Sequence, residues 1–168
     1  MPVSYYTIEP PQILKMYVRF FWVLESDHPH YTHRSMADVC PELIFHYKGQ
    51  FDELFTDRRR QRSFISGIHG QTVNTHRFSI NEAFGIFGVY LFPYTLPALF
   101  GIPSVEITNA FADLSILAGA EGRELEEKIM EASDNETRVK LVCSFFIKRL
   151  RKLSDRQLTI ASSVQFIM

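Results

Sequence analysis

Five side chains within or beside apolar segments have the chemistry of a small-molecule binding site. They are Trp22, Glu42, His46, Gln71 and Tyr90, which supply indole, carboxyl, imidazole, amide and phenol groups. A few polar groups of this kind among aromatic walls are typical of ligand pockets. Glu42 and His46 share one strand face but stand about 13 Å apart at about 3.3 Å per residue, too far for direct acid–base pairing. If these residues form a functional site, their pattern indicates binding rather than catalysis, and no catalytic residue is predicted.

The same residues also have a purely structural interpretation. Glu42 would then bond the backbone or an arginine at the end of its strand, and His46 would face solvent. One or two polar residues on each strand face are normal in globular proteins. The sequence leaves both interpretations open.

Three of the six histidines, His28, His30 and His33, lie in the polar segment SDHPHYTHRS and invite a metal hypothesis. A metal site built on closely spaced histidines needs a carboxylate nearby, yet the next acid in the chain is Asp38. We therefore expect a solvated loop here, and no metal or other cofactor is predicted.

A basic run of four arginines could contact phosphates: Arg58, Arg59, Arg60 and Arg62. No aromatic residue interleaves with these arginines, as stacking on nucleic-acid bases would require. The run is therefore interpreted as the exposed tip of a β-hairpin.

The elements that position these residues follow from the period of the apolar pattern. Alternation with period two predicts about seven short strands within residues 15–92, which is typical of an antiparallel barrel or sandwich. In the first, Val18, Phe20, Trp22 and Leu24 share one face, so Trp22 faces the core. A turn is predicted at His69-Gly70. The predicted strands span residues 17–25, 32–37, 42–48, 51–56, 64–68, 71–80 and 84–92.

Beyond residue 92 the apolar period changes from two to 3.6, after a corner made by Pro93, Pro97, Gly101 and Pro103. Helices are predicted over 108–118, with Thr108 as N-cap and Gly119 as stop, and over 123–132. Ser133 and Glu136 stand at capping-box spacing before a longer helix. A further helix from residue 155 ends on its apolar face, so we expect the natural chain to continue beyond Met168.

The longest predicted helix carries an apolar stripe that could face inward or outward. It either packs inside the chain or contacts a second copy, and both can hold because its rings spread around more than one side. The residues predicted as a dimer face are Val139, Val142, Phe145, Phe146 and Leu150.

The length, composition and net charge of the chain limit the class of protein to which it can belong. With 168 residues, 46% of them hydrophobic, the chain can bury one core of ordinary size. A formal charge of −1 excludes the broad positive field of a DNA-binding surface. Cys40 and Cys143 lie far apart in a chain with no secretory leader and no run long enough for a membrane span, so a reduced, cytoplasmic protein with no membrane partner is expected.

Taken in order along the chain, the sequence motifs resemble those of the N-terminal domain in one branch of the AraC-type transcription regulators. Each motif is short, but the order and spacing are maintained over nearly the whole chain. The matching motifs are Pro11-x-x-Leu14-x-x-Tyr17-Val18-x-Phe20-x-Trp22, Asp38-Val39-Cys40-Pro41-Glu42-Leu43-Ile44-Phe45, Gly67-x-x-Gly70-Gln71, Phe87-Gly88-Val89-x-Leu91-Phe92-Pro93, Phe100-Gly101-Ile102-Pro103, Glu106-Ile107-Thr108-Asn109, and Arg138 before Phe145-Phe146 and Arg149-Leu150.

The resemblance implies an α+β fold in three parts. A cupin-like antiparallel β-barrel would occupy residues 1–106, and a helical hairpin with the dimer face would occupy 107–153. Residues 154–168 would begin a linker toward a helix-turn-helix DNA-binding domain that this chain lacks.

The function implied by the resemblance is effector sensing and dimerisation in a transcription regulator, not catalysis. The expected partners are an unknown small-molecule effector, a second copy of the chain, and DNA only through the missing domain. Two alternatives stay open: a metal-dependent cupin-type enzyme, and a barrel that only dimerises and has lost any ligand.

Overall fold

Two antiparallel β-sheets and a helical layer make up the fold in a computed structural model that describes residues 3–150. The helices are α1 (Thr95–Phe100), α2 (Leu114–Glu131) and α3 (Asn135–Leu150), with short 3-10 turns at Gln12–Leu14 and Ser104–Ile107. The strands are β1 (Ser4–Ile8), β2 (Val18–Ser26), β3 (Tyr31–Ser35), β4 (Glu42–Lys48), β5 (Asp52–Leu54), β6 (Arg60–Arg62), β7 (Ser66–His69), β8 (His76–Ile80), β9 (Phe84–Leu91) and β10 (Phe111–Asp113).

The larger sheet has the strand order β1-β2-β9-β4-β7-β10, and the smaller sheet has the order β3-β8-β5-β6. Every pairing between these strands is antiparallel. The predicted α+β class, with antiparallel strands followed by a helical hairpin, is confirmed. The strand predicted at 42–48 coincides with β4, and the one at 84–92 is one residue longer than β9.

Alternation along the strands gives the larger sheet two buried faces. We call the face under the helices the helix-side face; it carries Phe21, Val23, Phe45, Phe87 and Val89, all 0% exposed. Leu125 and Ile129 of α2 and Val142 and Phe146 of α3 belong to the same apolar cluster. The opposite face, here the pocket-side face, looks toward the smaller sheet, and around Phe51 and Phe84 the two sheets share a smaller apolar cluster.

One predicted strand face is wrong, because the register of β2 against β9 is irregular near the start of β2. The pairing with β9 shifts between Val18 and Phe20. Val18 therefore packs in the helix-side cluster, whereas Trp22 and Leu24 lie on the pocket-side face. The alternation from Phe20 onward is as predicted, because the irregularity precedes it.

Chain segments after β9 differ from the prediction at several boundaries. Residues 111–113 pair with β7 as β10, so the sheet extends past the predicted domain boundary at residue 106. Helix α2 begins at Leu114 with Asp113 as its N-cap, not at Thr108. Non-helical backbone at Gly119 (φ 59°, ψ −132°) divides α2 by a kink, at the residue that was predicted to end the helix. The Asp134 carboxylate, rather than Ser133, caps α3 by accepting from the backbone N–H of Thr137 at 2.7 Å.

Strands β1 and β6 and helix α1 were not among the predicted elements, because short or exposed segments carry little periodic signal. The predicted linker at 154–168 and the helix from residue 155 lie outside the described residues. Within residues 3–150, no helix is both long enough and apolar enough to cross a membrane.

Candidate ligand-binding pocket

A row of side chains across the larger sheet places one carboxyl group between aromatic rings. Glu42 on β4 lies opposite His69 on β7 and Tyr90 on β9. Tyr90 in turn lies opposite Phe20 on β2, and His69 lies opposite Phe111 on β10. Directly opposed antiparallel residues project from the same face with Cβ atoms about 4.5–5.5 Å apart. The ends of the row are stacked, with ring centroids 4.8 Å apart for Phe20 and Tyr90 and 4.3 Å for His69 and Phe111.

The neighbouring row holds the indole of Trp22, the only tryptophan. Gly88 lies opposite both Trp22 and Ile44. A Cβ atom on Gly88 would stand 2.0 Å from Cε2 of Trp22, so the indole occupies the space that a larger residue would fill. The glycine therefore lets the indole lie flat against β9 on the pocket-side face.

These rows form one wall of a cavity of about 330 Å³ between the two sheets. This volume is at the lower end of the range for small-molecule sites, about 300–1,000 Å³. The opposite wall and the ends come from the smaller sheet and from loops, including His33, Met36, Phe51, Phe64 and Phe78. Aromatic rings form much of the lining, and its polar side chains come from both sheets and from loops.

Three buried ring nitrogens in this lining have no hydrogen-bond partner within residues 3–150: Nε1 of Trp22, Nδ1 of His46 and Nε2 of His69. A buried polar group without a partner costs about 1–3 kcal/mol, so proteins keep few of them. All three residues line the same cavity, which makes it the candidate binding site.

Burial sets the protonation states around the cavity. It raises the pKa of Glu42 from 4.5 to about 7, and the nearby Asp38 carboxylate adds to the rise. Burial lowers the pKa of His46 and of His69 to about 4, with smaller contributions from Arg62 and His76 respectively. At neutral pH both imidazoles are therefore uncharged, whereas Glu42 is close to half-ionised.

A further acidic group is fixed at the Glu42 end of the cavity. The Tyr90 hydroxyl donates a hydrogen bond to Oδ2 of Asp38. The other carboxylate oxygen, Oδ1, accepts from the backbone N–H of Cys40 at 2.9 Å. The Asp38 backbone also pairs with Thr72 in an isolated bridge, so this carboxylate is held at the rim from both sides.

Four of the five residues predicted to bind a ligand line this one cavity: Trp22, Glu42, His46 and Tyr90. The fifth, Gln71, is not in the lining; its side-chain amide donates to Oγ1 of Thr108 at 2.9 Å and fastens a loop. His46 does not face solvent as the structural interpretation required, because its Nδ1 is buried. That any of the four binds a ligand stays a prediction.

His69 is missing from the predicted site because the sequence pattern assigned it to a turn. In the structure it ends β7, is 6% exposed and faces Glu42 across the sheet. Extending the predicted strand by one residue would have placed His69 on the face opposite Ile68. No comparable signal marks Phe111, whose strand has only three residues.

Two polar segments hold no ligand-binding cluster. His30 contacts Asn81 in an exposed turn, Nδ1 to Oδ1 at 3.2 Å, whereas His33 lies within β3 and reaches the cavity lining. Across residues 3–150, no three His, Cys, Asp or Glu side chains are grouped to hold a metal ion. The arginine run lies in the exposed β5–β6 hairpin, as predicted, with Arg59 paired to Asp57 and Arg62 to Asp52.

The predicted dimer face requires a correction. Val142 and Phe146 are 0% exposed and Phe145 is 8% exposed, because all three pack into the helix-side cluster. They cannot contact a second copy in this fold. Val139 and Leu150 are partly buried against the same cluster. The stripe is thus an internal contact, and dimerisation itself stays a prediction.

Together, the fold and site define an antiparallel β-sandwich with an internal pocket rich in aromatic side chains. The chain belongs to the family described as "Domain of unknown function (DUF6597)", whose model matches residues 6–113. The match ends at the last residue of β10, so it covers both sheets and stops where α2 begins. No curated protein sequence matches the chain.

Several solved structures resemble part of the chain. Protein NMB1881 from Neisseria meningitidis is 12% identical over 53% of this chain and 84% of its own, with a TM-score of 0.38. DMSP lyase DddQ from Ruegeria pomeroyi DSS-3 is 11% identical over 54% of this chain and 47% of its own, with a TM-score of 0.38. A putative ethanolamine utilization protein from Salmonella typhimurium LT2 is 9% identical over 53% and 68%, with a TM-score of 0.36. Likenesses this distant carry no argument about function.

Proposed function

We propose that this chain is an effector-sensing domain that binds a small organic molecule in the cavity between its sheets. The observation that carries the proposal is the set of three unpartnered ring nitrogens around a cavity of about 330 Å³. A pocket kept only for packing would be closed by apolar side chains, since orphaned polar atoms reduce stability.

The connection from the cavity rim to the helices supports a sensing role. The Asn109 side-chain oxygen accepts from the backbone N–H of Val73 at 2.9 Å and from the Thr72 hydroxyl at 3.1 Å. The Asn109 backbone N–H also donates to the carbonyl of Gln71 at 2.8 Å. Five residues later the chain enters α2 at Leu114. A shift of the rim on ligand binding would therefore act directly on the segment that begins the helical layer.

The resemblance to AraC-type regulators gives this sensing domain its context. In that context, the helical layer and dimerisation pass the ligand signal to a DNA-binding domain elsewhere in the protein. A metal-dependent enzyme is the competing class, and it would need a ligand cluster that residues 3–150 do not form.

A thermal-shift screen of the chain against a metabolite library tests ligand binding, since a molecule that binds only the folded state raises the melting temperature. We expect at least one hit whose stabilisation is lost in Trp22→Phe and kept in Ile116→Ala, a change at a residue that is 81% exposed. Conversion of a hit to product would favour the enzyme class. No hit, or hits unaffected by Trp22→Phe, would overturn the pocket assignment.

A second experiment addresses regulation. The chain is fused to a DNA-binding domain that represses a reporter only as a dimer. We expect ligand-dependent repression by the wild type, and loss of the ligand response with retained ligand binding in Asn109→Ala. Monomeric protein at high micromolar concentration in sedimentation, with and without ligand, would contradict the dimerisation proposal.

A further inference from the structure

We infer that the ligand of this pocket carries a protonated amine, which Glu42 and the surrounding aromatic faces bind. This inference rests on the proposed function, because it names the chemical class of the molecule that the domain senses. The observations that support it are the positions of the charged groups and of the aromatic rings along the cavity wall.

Both carboxyl groups of the cavity lie at the same end. Glu42 is in the middle of the larger sheet, and Asp38 is close enough that its charge raises the pKa of Glu42. Neither forms a salt bridge with any residue in 3–150. Two carboxyl groups without an ion-pair partner lie together at this end of the cavity, which makes it complementary to a cation.

Positive charge from the protein does not fill that place. Among the described lining residues the only lysine or arginine is Arg34, which is exposed on β3. The guanidinium of Arg19 lies against Tyr90, with Cζ 5.5 Å from the ring centroid, and Nη1 is 4.0 Å from Sγ of Cys40. The other titratable groups near Glu42 are Tyr5, Tyr90, Cys40 and His69. Phenols and thiols carry no positive charge, and burial keeps the His69 imidazole neutral because it lowers its pKa to about 4.

Aromatic rings surround the same end of the cavity. Tyr90 and Phe20 flank Glu42 on one side, and the Trp22 indole lies in the adjacent row with Tyr5 6.4 Å away. Aromatic faces attract a desolvated ammonium group with about 0.5–2 kcal/mol each. Phe20 and the Arg19 guanidinium lie against Tyr90, so Trp22 and Tyr5 supply the aromatic surface for an ammonium group at Glu42. An anionic ligand would be repelled by both Glu42 and Asp38.

The remaining unpartnered nitrogens describe the rest of the ligand. The Trp22 Nε1–H can only donate, so it requires an acceptor. His46 is four residues from Glu42 on the same strand, about 13 Å away at about 3.3 Å per residue. An amine at Glu42 and a hydroxyl or carbonyl oxygen further along the cavity would satisfy both ends. The inferred ligand is therefore a small molecule with one protonated amine and at least one hydroxyl or carbonyl oxygen. The rest of the molecule is uncharged or aromatic.

Three probes with one ring system and different charges test the inference by titration calorimetry: 5-hydroxytryptamine, 5-hydroxytryptophol and 5-hydroxyindole-3-acetate. At pH 8, where Glu42 is mostly ionised, we expect the amine to bind at least about tenfold more tightly than the alcohol, and the acid to bind weakest. At pH 6 the affinity for the amine should fall by about tenfold, because a proton then occupies Glu42. The affinity for the alcohol should change little.

Matched carboxyl variants identify the group responsible. Glu42→Gln should remove the preference for the amine and its pH dependence, whereas Glu124→Gln, at an exposed helical carboxylate paired with Lys128, should keep both. Circular dichroism and the melting temperature establish that each variant is folded. If none of the probes binds, or if the alcohol or the acid binds as tightly as the amine, the inference is overturned.

The outcomes separate this inference from the proposed function. An uncharged library molecule whose binding requires Trp22 would leave the sensing proposal in place and overturn the amine assignment. Amine binding that requires Glu42 but produces no reporter response would support the assignment and overturn the sensing role.

Discussion

The two faces of the larger sheet are built from the same strands and are filled in opposite ways. On the helix-side face, aromatic and aliphatic residues pack to 0% exposure against three helices. Arg138, the one charged residue buried on this face among residues 3–150, donates to the Ile129 and Ala132 carbonyls and to the Asn135 side chain. Its guanidinium carbon lies 3.8 Å from the Tyr47 ring centroid. On the pocket-side face, three ring nitrogens have no partner within residues 3–150.

Under the proposed function, this contrast assigns stability to one face of the sheet and ligand binding to the other. Because side chains alternate along a strand, each strand contributes every second residue to a closely packed core and the others to a cavity. The helix-side core stabilises the fold strongly enough that the pocket-side face can keep a desolvated carboxyl and orphaned nitrogens. Such groups are costly in a fold but useful for recognising a ligand.

The largest expected difference between the faces is in the cost of deleting a phenyl ring. Phe87→Ala removes a fully buried ring that stacks on Phe21, and we expect a loss of about 3–5 kcal/mol in the free energy of unfolding. Phe20→Ala, on the half-buried pocket side, should cost about 1 kcal/mol. Urea denaturation of both variants measures the difference, and equal losses would show that the pocket-side face also carries the stability.

The second prediction concerns the pH dependence of Glu42. Because the pKa of Glu42 is about 7 in the folded state and 4.5 ordinarily, the folded state holds this proton more tightly. The corresponding stability is complete below about pH 4.5 and is lost as the pH rises through about 7, a change of up to about 3 kcal/mol. Glu42→Gln should therefore be more stable than the wild type at pH 8 by up to about 3 kcal/mol.

Near pH 4.5 the Glu42→Gln and wild-type proteins should differ by less than about 0.5 kcal/mol, because Glu42 is then protonated in the folded state and half-protonated in the unfolded state. Urea denaturation at a series of pH values measures this. A Glu42→Gln protein that is less stable than the wild type at pH 8 would mean that Glu42 has a cationic partner in the folded chain.

A third prediction compares Gly85 and Gly88 of β9, which lie on opposite faces of the larger sheet. Each leaves space that an aromatic ring of a neighbouring strand occupies. A Cβ atom on Gly85 would stand 2.3 Å from Cε2 of Tyr47, which is held under Arg138. We expect Gly85→Ala to cost about 3 kcal/mol, because displacing the Tyr47 ring disturbs its hydrogen bond to Glu25 and its contact with Arg138. Gly88→Ala should cost only about 1 kcal/mol, because the Trp22 indole can move into the cavity.

Tryptophan fluorescence distinguishes the two variants, since Trp22 is the only tryptophan. The emission maximum should shift in Gly88→Ala and stay unchanged in Gly85→Ala. A cost for Gly88→Ala as large as that for Gly85→Ala would mean that the cavity is too rigid to admit the displaced ring.

The smallest expected effect is at Ile116, which lies on neither face of the larger sheet. Ile116 is 81% exposed on α2, and Ile116→Ala should change the free energy of unfolding by less than about 0.5 kcal/mol. A melting-temperature measurement checks this. A substantially larger loss, accompanied by a change in sedimentation, would identify this part of α2 as a contact between copies of the chain.

The sequence predicted the strands that carry most of the site, and it selected four of the cavity residues from their types and their place in alternating segments. It failed where local pattern is weak. Strand β10 has three residues and is formed only because β7 offers an open edge. His69 looked like part of a turn, since only its pairing with Glu42 and Phe111 shows that β7 continues through it.

By itself, then, the sequence determined the α+β class, the antiparallel strands and the residues that alternate between two faces, because these depend on periods of a few residues. The tertiary structure decided which face the helices cover. That choice placed Phe145 and Phe146 in the core rather than at a dimer face, and it left Glu42 in a cavity. It depends on the packing of segments far apart in the chain, and no local pattern records it.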